Sequence, residues 1–179
     1  MSKSINKIDE YDDLKNRLKN GDESAITELY DCFASSLYQT AYSLLANHGE
    51  AEDAVQDTFI AVVRYRRQLA KAKNLKSYLF VTLRNSVNRT FQKRKKQSQT
   101  LTEFANEELN KPRAKSNYKL HERLEELPKE QAEIVALKIG AGMTFEEIAE
   151  ILEISANTAA SRYRYALEKL KKQYGVKND

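Results

Sequence analysis

Of the 179 residues, one is cysteine, none is tryptophan, two are proline and five are glycine. A single cysteine, Cys32, excludes an internal disulfide, and no CxxC pair or His/Cys cluster is present to hold a metal. His48 and His121 stand alone, with no glycine-rich phosphate loop and no HExxH spacing, so no residue is marked as catalytic, as a metal ligand or as a cofactor contact. No stretch approaches the ~18 apolar residues of a membrane span, and the N-terminal MSKSINKIDE lacks a signal-peptide core. The sequence therefore reads as a cytoplasmic protein without membrane insertion. Glycine and proline are missing altogether between Glu50 and Lys111, and so are valine-rich alternating runs, which excludes a turn-rich β fold. What is abundant, namely Leu, Ala, Glu, Lys and Arg, favours helix. The expected fold class is all-α with long elements.

A further absence concerns charge of one sign. Residues 58–102 contain twelve Lys and Arg and no carboxylate, although the net charge of the whole chain is only +4. Residues 1–57 are acidic, with twelve Asp and Glu against five basic side chains. The pattern then repeats: residues 120–153 hold nine acidic and three basic residues, and residues 154–179 hold two acidic and six basic ones. Two acidic blocks, each followed by a basic one, point to two modules that each present a polyanion-binding face, nucleic acid being the obvious polyanion.

Apolar spacing places the helices. Ile8, Tyr11, Leu14 and Leu18 form a stripe that ends at Asn20-Gly21. Asp22 can cap a second helix carrying Ile26, Leu29, Phe33, Leu37, Ala41 and Leu45, broken at Asn47-His48-Gly49. Cys32 lies on this helix and is expected in the core. A third helix buries Ala51, Ala54, Val55, Thr58, Phe59, Val62 and Val63, with Glu50, Glu52 and Asp53 at its start and Arg64, Arg66 and Arg67 at its end, as the dipole favours. After Lys71–Asn74 a fourth buries Leu75, Tyr78, Leu79, Leu83, Val87 and Phe91, and runs into Lys93-Arg94-Lys95-Lys96. Residues 97–118 are polar, weakly periodic and contain Pro112, the composition of a flexible linker. The expected division is residues 1–96, a linker over 97–118, and residues 119–179.

The sharpest local pattern lies in the last segment. Thr144 and Glu147 have the T-x-x-E spacing of a capping box, followed by the stripe Ile148, Ala149, Leu152. Ser155 can cap the next helix, from Ala156 toward Lys171, on which Ala159, Tyr163, Ala166, Leu167 and Leu170 face inward. Two helices joined by about three residues, the second one basic, describe a DNA-binding helix-turn-helix. Outward on its second helix stand Asn157, Thr158, Ser161, Arg162, Arg164 and Tyr165, and Lys169, Lys171 and Lys172 are placed for phosphate or solvent. Glu153 occupies the turn position where glycine is common, so a left-handed glutamate and a slightly distorted turn are expected there.

With these residues in view, the chain resembles a bacterial RNA polymerase sigma factor of the extracytoplasmic-function type, from about Gly21 to Lys172. Residues 50–65 (EAEDAVQDTFIAVVRY) resemble the core-binding helix of region 2, residues 75–96 the promoter-melting and minus-ten segment, and residues 127–172 region 4. The resemblance implies that Asp53, Gln56, Asp57, Ile60 and Val63 dock on the clamp helices of the largest polymerase subunit, with Phe59 and Val63 as plain core the competing reading. It implies that Lys73, Asn74, Lys76, Arg84, Asn85, Asn88 and Arg89 meet the minus-ten region, Tyr78 being more naturally core. It further implies that Ser155, Asn157, Thr158, Ser161, Arg162, Arg164 and Tyr165 meet the minus-thirty-five element. The implied partners are core RNA polymerase, through its clamp helices and flap, promoter DNA and an anti-sigma factor. Ala159 and Ala160 stand where the family often has a branched apolar and a basic residue, which throws weight on Ser161, Arg162 and Arg164. A self-standing helix-turn-helix regulator is the rival reading.

Overall fold

The computed structural model describes residues 7–101 and 118–174. Nine helices and no strand are found among them. The first, α1 (Lys7–Asn20), stops at Gly21, whose φ of +82° reverses the chain. Asp22 caps α2 (Glu23–Leu45) by accepting from the Ser24 N–H. The Arg17 guanidinium ties the two helices together, reaching Asp22 at 2.9 Å, Glu28 at 2.7 Å and Ser24 at 2.8 Å. The Ser24 side chain and Arg17 together draw the Asp22 carboxyl down to about 2.

Ala46, in the left-handed region with φ 49°, ends α2, and Asn47 caps α3 (His48–Arg64) by accepting from the Glu50 N–H. The break therefore falls one residue before the expected Asn47-His48-Gly49, and His48 and Gly49 already belong to α3. A single turn, α4 (Arg66–Leu69), precedes α5 (Leu75–Leu101). Leu18, Leu29, Leu37, Tyr42, Leu45, Val62, Leu79, Phe80 and Leu83 fill the core between these helices. Arg94 of α5 donates to the Leu45 carbonyl at 2.8 Å and pairs with Glu50, pinning the α2–α3 corner. Cys32 is not core: it is exposed on α2, one residue away from the buried stripe of Leu29, Phe33 and Leu37.

The remaining helices are α6 (Tyr118–Glu125), α7 (Lys129–Gly140), α8 (Phe145–Leu152) and α9 (Ala156–Tyr174). Thr144 and Glu147 form the capping box reciprocally, at 3.2 and 2.8 Å. Glu153 is left-handed with φ 55° and ψ 44°, and the Ile154 N–H bonds back to the Ala149 carbonyl at 3.0 Å. The turn is thus a regular left-handed helix stop rather than a distorted one. Of the expected linker, residues 97–101 continue α5 as helix, and residues 102–117 lie outside the described residues.

The two modules are packed on each other. Ile134, Leu137, Met143, Ile148 and Ile151 join the same buried cluster as Leu29, Leu37 and Leu79. At Gly140 a Cβ would lie 3.0 Å from Thr40 Oγ1 and 3.2 Å from Thr40 Cα, so any side chain there would press α7 away from α2 by a few tenths of an ångström.

Candidate functional site

Three surfaces carry the residues singled out above. The first is a groove of about 980 Å³ between α2 and α3, lined on the α3 side by Gln56, Phe59, Ile60 and Val63 and on the α2 side by Tyr30 and Tyr38. Ile60, Tyr30 and Val63 are 56%, 52% and 45% exposed, a concentration of open apolar surface that a water-facing helix does not need. Phe59 is buried and packs against Tyr30 with the rings tilted and their centroids 4.9 Å apart, so the competing core reading holds for Phe59 and not for Val63. Tyr30, Tyr38, Glu52 and Arg64 also border the groove and were missed because a helix read alone does not show which neighbour faces it.

Asp53 and Asp57 do not line this groove; both are exposed on the adjoining face of α3. Asp57 accepts from Ser86 at 2.8 Å and pairs with Arg89 at 3.2 Å, which locks α3 to α5. Two residues assigned to different surfaces, Asp57 and Arg89, thus face one another.

The second surface is α5 with the loop before it. Asn74 accepts from the Ser77 N–H at 3.2 Å and starts the helix, while Lys73 is exposed. The remaining residues divide between two faces. Asn85 and Arg89, one turn apart, point to solvent beside half-buried Asn88. Lys76 and Arg84 face the C-terminal module instead: Lys76 meets Glu147 at 2.9 Å and Arg84 meets Glu133 at 3.2 Å. Between them Ser77 donates to Glu150 at 2.7 Å. Tyr78 is half-buried and packs on the core. Burial alone would raise the Glu147 carboxyl, yet hydrogen bonds from Thr144 and Lys76 hold it below the usual range.

The third surface is the outward face of α9. Ser155 caps the helix by accepting from the Thr158 N–H at 3.0 Å. Ala159 is buried with Ile148 and Ile151, and Tyr163 packs on Phe145 of α8 with centroids 5.6 Å apart, giving the crossed helix pair its core, while Ala166 is buried further along against Leu124, Leu127 and Val135. Asn157, Arg164 and Tyr165 are exposed, and Thr158, Ser161 and Arg162 half-exposed. Thr158, Arg162 and Tyr165 follow one another at i, i+4 and i+7, so they form one stripe. The Ser161 hydroxyl donates back to the Asn157 carbonyl, and Arg164 lies over the Tyr165 ring at 5.1 Å. Lys169 donates to the Glu126 carbonyl and so ties α9 to the end of α6.

Among the described residues no cluster of three or more His, Cys, Asp or Glu could hold a metal, and no helix is long and apolar enough to cross a membrane. His48 is exposed, stacks on Tyr42 and hydrogen-bonds Tyr38.

Two family models match the chain: Sigma-70 region 2 over residues 29–97 and Sigma-70, region 4 over residues 118–170. The ECF RNA polymerase sigma factor EcfG of Rhodopseudomonas palustris (strain TIE-1) is 28% identical over 139 residues, 75% of this chain and 77% of that one. RNA polymerase sigma factor SigV of Bacillus subtilis (strain 168) is 28% identical over 140 residues, covering 76% and 82%. Among solved structures, the sigma factor RpoE of Bartonella quintana, crystallised with the anti-sigma factor NepR, superposes with a TM-score of 0.71 at 26% identity, over 85% of this chain and 98% of that one. CnrH, solved with the cytosolic domain of CnrY, superposes with a TM-score of 0.72 at 20% identity over 93% and 98%, a likeness of fold.

Proposed function

Since this chain belongs to the sigma-70 family and is an RNA polymerase sigma factor of the extracytoplasmic-function type, we propose that each of the three surfaces serves one step of promoter recognition. The α3 groove, with Gln56, Ile60 and Val63 on its wall and Asp53 at its rim, takes the clamp helices of the largest polymerase subunit. An open apolar strip bordered by carboxylates suits a helical partner with a basic edge. The α5 strip, from Lys73 to Arg89, engages opened minus-ten DNA, where unpaired bases can be read singly while Arg and Lys hold the backbone. The α9 stripe reads the minus-thirty-five element in the major groove. The flap of the polymerase and an anti-sigma factor complete the proposed partners. We read the protein as cytoplasmic and non-catalytic, and as divided into residues 1–96, 97–118 and 119–179.

The observation that carries this reading is the coexistence, in one chain, of a capped helix-turn-helix and an unfilled apolar groove on a separate helix pair. A repressor that works alone needs the first and not the second. Run-off transcription with core polymerase is the test. Promoter-specific transcripts that require both protein and core are expected. Equal binding to promoter DNA with and without core would favour a self-standing regulator.

A further inference from the structure

The turn between α7 and α8 is held by a side chain that belongs to none of the three surfaces. Lys138 lies in the last turn of α7, where a basic residue ordinarily complements the carbonyls of its own helix. Here its ammonium reaches past the helix end and donates to the Met143 carbonyl at 2.7 Å. It also lies 4.8 Å from the centroid of the Phe145 ring, a cation–π contact with the first residue of α8. The backbone holds this turn loosely: the Ala141 and Met143 N–H groups share the Leu137 carbonyl at 3.2 and 3.4 Å, and Gly142, with φ +59°, has open space where a Cβ would be. Phe145 in turn packs on Tyr163 of α9, with centroids 5.6 Å apart and the rings tilted by 59°. Tyr163 stands between Arg162 and Arg164 in the chain but faces inward, against both buried clusters. A line of contacts thus runs from Lys138 to the turn of α9 that carries Arg162.

We infer that Lys138 is a positioning residue for the minus-thirty-five element: through Phe145 and Tyr163 it fixes the rotation of α9, and so the direction in which Thr158, Arg162 and Tyr165 point. This rests on the functional reading of α9 given above and adds to it a residue of another helix. A side-chain tip stands about 6 Å from its helix axis, so turning α9 by about 10° moves it by about 1 Å. A bidentate contact to a guanine edge tolerates only about 0.5 Å in the length of its hydrogen bonds. A phosphate contact is a charge–charge attraction that falls off slowly with distance and survives such a shift. Loss of Lys138 therefore costs discrimination between upstream sequences more than it costs binding. Lysine suits the position because one ammonium has three donors, enough to serve the carbonyl and face the ring together.

The test uses the holoenzyme and a promoter that the parent holoenzyme selects from a template pool randomised at the minus-ten and minus-thirty-five elements. The readout is the ratio of run-off transcripts from this promoter and from the same promoter with its minus-thirty-five element scrambled. A third template, premelted at minus-ten and lacking all upstream DNA, needs the docking groove and α5 but not α9. Lys138→Met keeps the apolar stem and loses the charge and the donor. It is expected to lower the ratio about tenfold, the scale of one bidentate base contact, and to leave the premelted template unaffected. Lys138→Arg can still donate and stack, so it is expected to keep the parent's ratio. Phe145→Leu cuts the same line one contact further on while leaving the Lys138 to Met143 hydrogen bond in place. It should lower the ratio in the same way, and it decides the question if Lys138→Met does not fold. In an Arg162→Ala background Lys138→Met should lower the ratio by no more than about twofold, since both changes act on one contact. An unchanged ratio for Lys138→Met or Phe145→Leu, an equal fall on the premelted template, or a full additive effect on top of Arg162→Ala would each overturn the inference. A parent ratio near one would instead overturn the reading of α9, and the inference with it.

Discussion

Glu153 shows how a single backbone angle can be read from sequence and then found in the fold. Its φ of 55° is one that L side chains adopt at a cost, while glycine adopts it freely. Replacing it should relieve that strain without touching the Ile154 to Ala149 hydrogen bond. Glu153→Gly is expected to raise stability by about 0.5–1 kcal/mol, the larger unfolded-state freedom of glycine taking back part of the gain. Chemical denaturation checks it, and a drop in stability would mean that the Glu153 side chain contributes something the turn geometry does not show. At the same scale, Arg162 lies one turn past Thr158 on the open stripe of α9, where a guanidinium can reach a guanine edge bidentately. Arg162→Ala is expected to cost about 1–3 kcal/mol and to relax preference at one or two upstream positions in holoenzyme transcription from promoter variants. A uniform loss across all variants would make it a phosphate contact. Ser155 and Thr144 were legible because a cap is a local matter of spacing. Cys32 was not, since α2 is contacted on several sides and a neighbour three residues away does not fix which of them a side chain faces.

At the scale of elements, periodicity and caps located α1, α2, α3, α5, α8 and α9, whereas the four residues of α4 are too few to show a period. They did not show how one helix apportions its faces. The basic residues of α5 read as one strip, yet Lys76 and Arg84 turn to the C-terminal module and Asn85 and Arg89 to solvent and α3. Likewise α3 offers Ile60 and Val63 to the groove but Asp57 to Ser86 and Arg89. The two kinds of side chain therefore make different predictions. Ile60→Asp/Val63→Asp places charge in the apolar groove and is expected to weaken binding to core polymerase at least tenfold, two lost apolar contacts being worth about 1.5–3 kcal/mol each when fully buried. Both residues are exposed in the free chain, so its unfolding midpoint should barely move. Undiminished core binding by this variant would remove the groove from the polymerase interface. Asp57→Lys, by contrast, should lower the stability of the free chain, because it sets a cation against Arg89.

Over the whole molecule, the division into two helical modules was legible in the charge blocks, and their contact was not. Its apolar side, with Ile134, Leu137, Met143 and Ile148, reads in sequence only as buried and not as buried against which helix, and its polar side, with Thr40, Ser77, Gly140 and Glu133, carries no apolar period at all. Glu147 links the two scales: it closes the capping box of α8 with one carboxylate oxygen and holds Lys76 of α5 with the other. Its folded-state carboxyl is held below the ordinary range, the hydrogen bonds outweighing burial, so its contribution is present above the unfolded value of about 4 and is lost as pH falls through the lower folded one. Glu147→Gln keeps a capping acceptor and lacks the charge, so it isolates the ionic part of that contribution. At neutral pH the variant is expected to be less stable than the parent by about 1 kcal/mol, the scale of a half-buried hydrogen-bonded ion pair. As pH falls from 5 to 3 the gap should narrow, since the unfolded parent takes up its proton at this site before the folded one does. Asp22, drawn down to about 2 beside Ser24 and Arg17, stays ionised over that window in both chains and cancels from the comparison. Thermal unfolding of both proteins at pH 7, 5, 4 and 3 measures the convergence. A stability gap that stayed constant down to pH 3 would mean that the Glu147 charge does not hold Lys76, leaving Arg84–Glu133, Ser77–Glu150 and apolar burial to join the two modules.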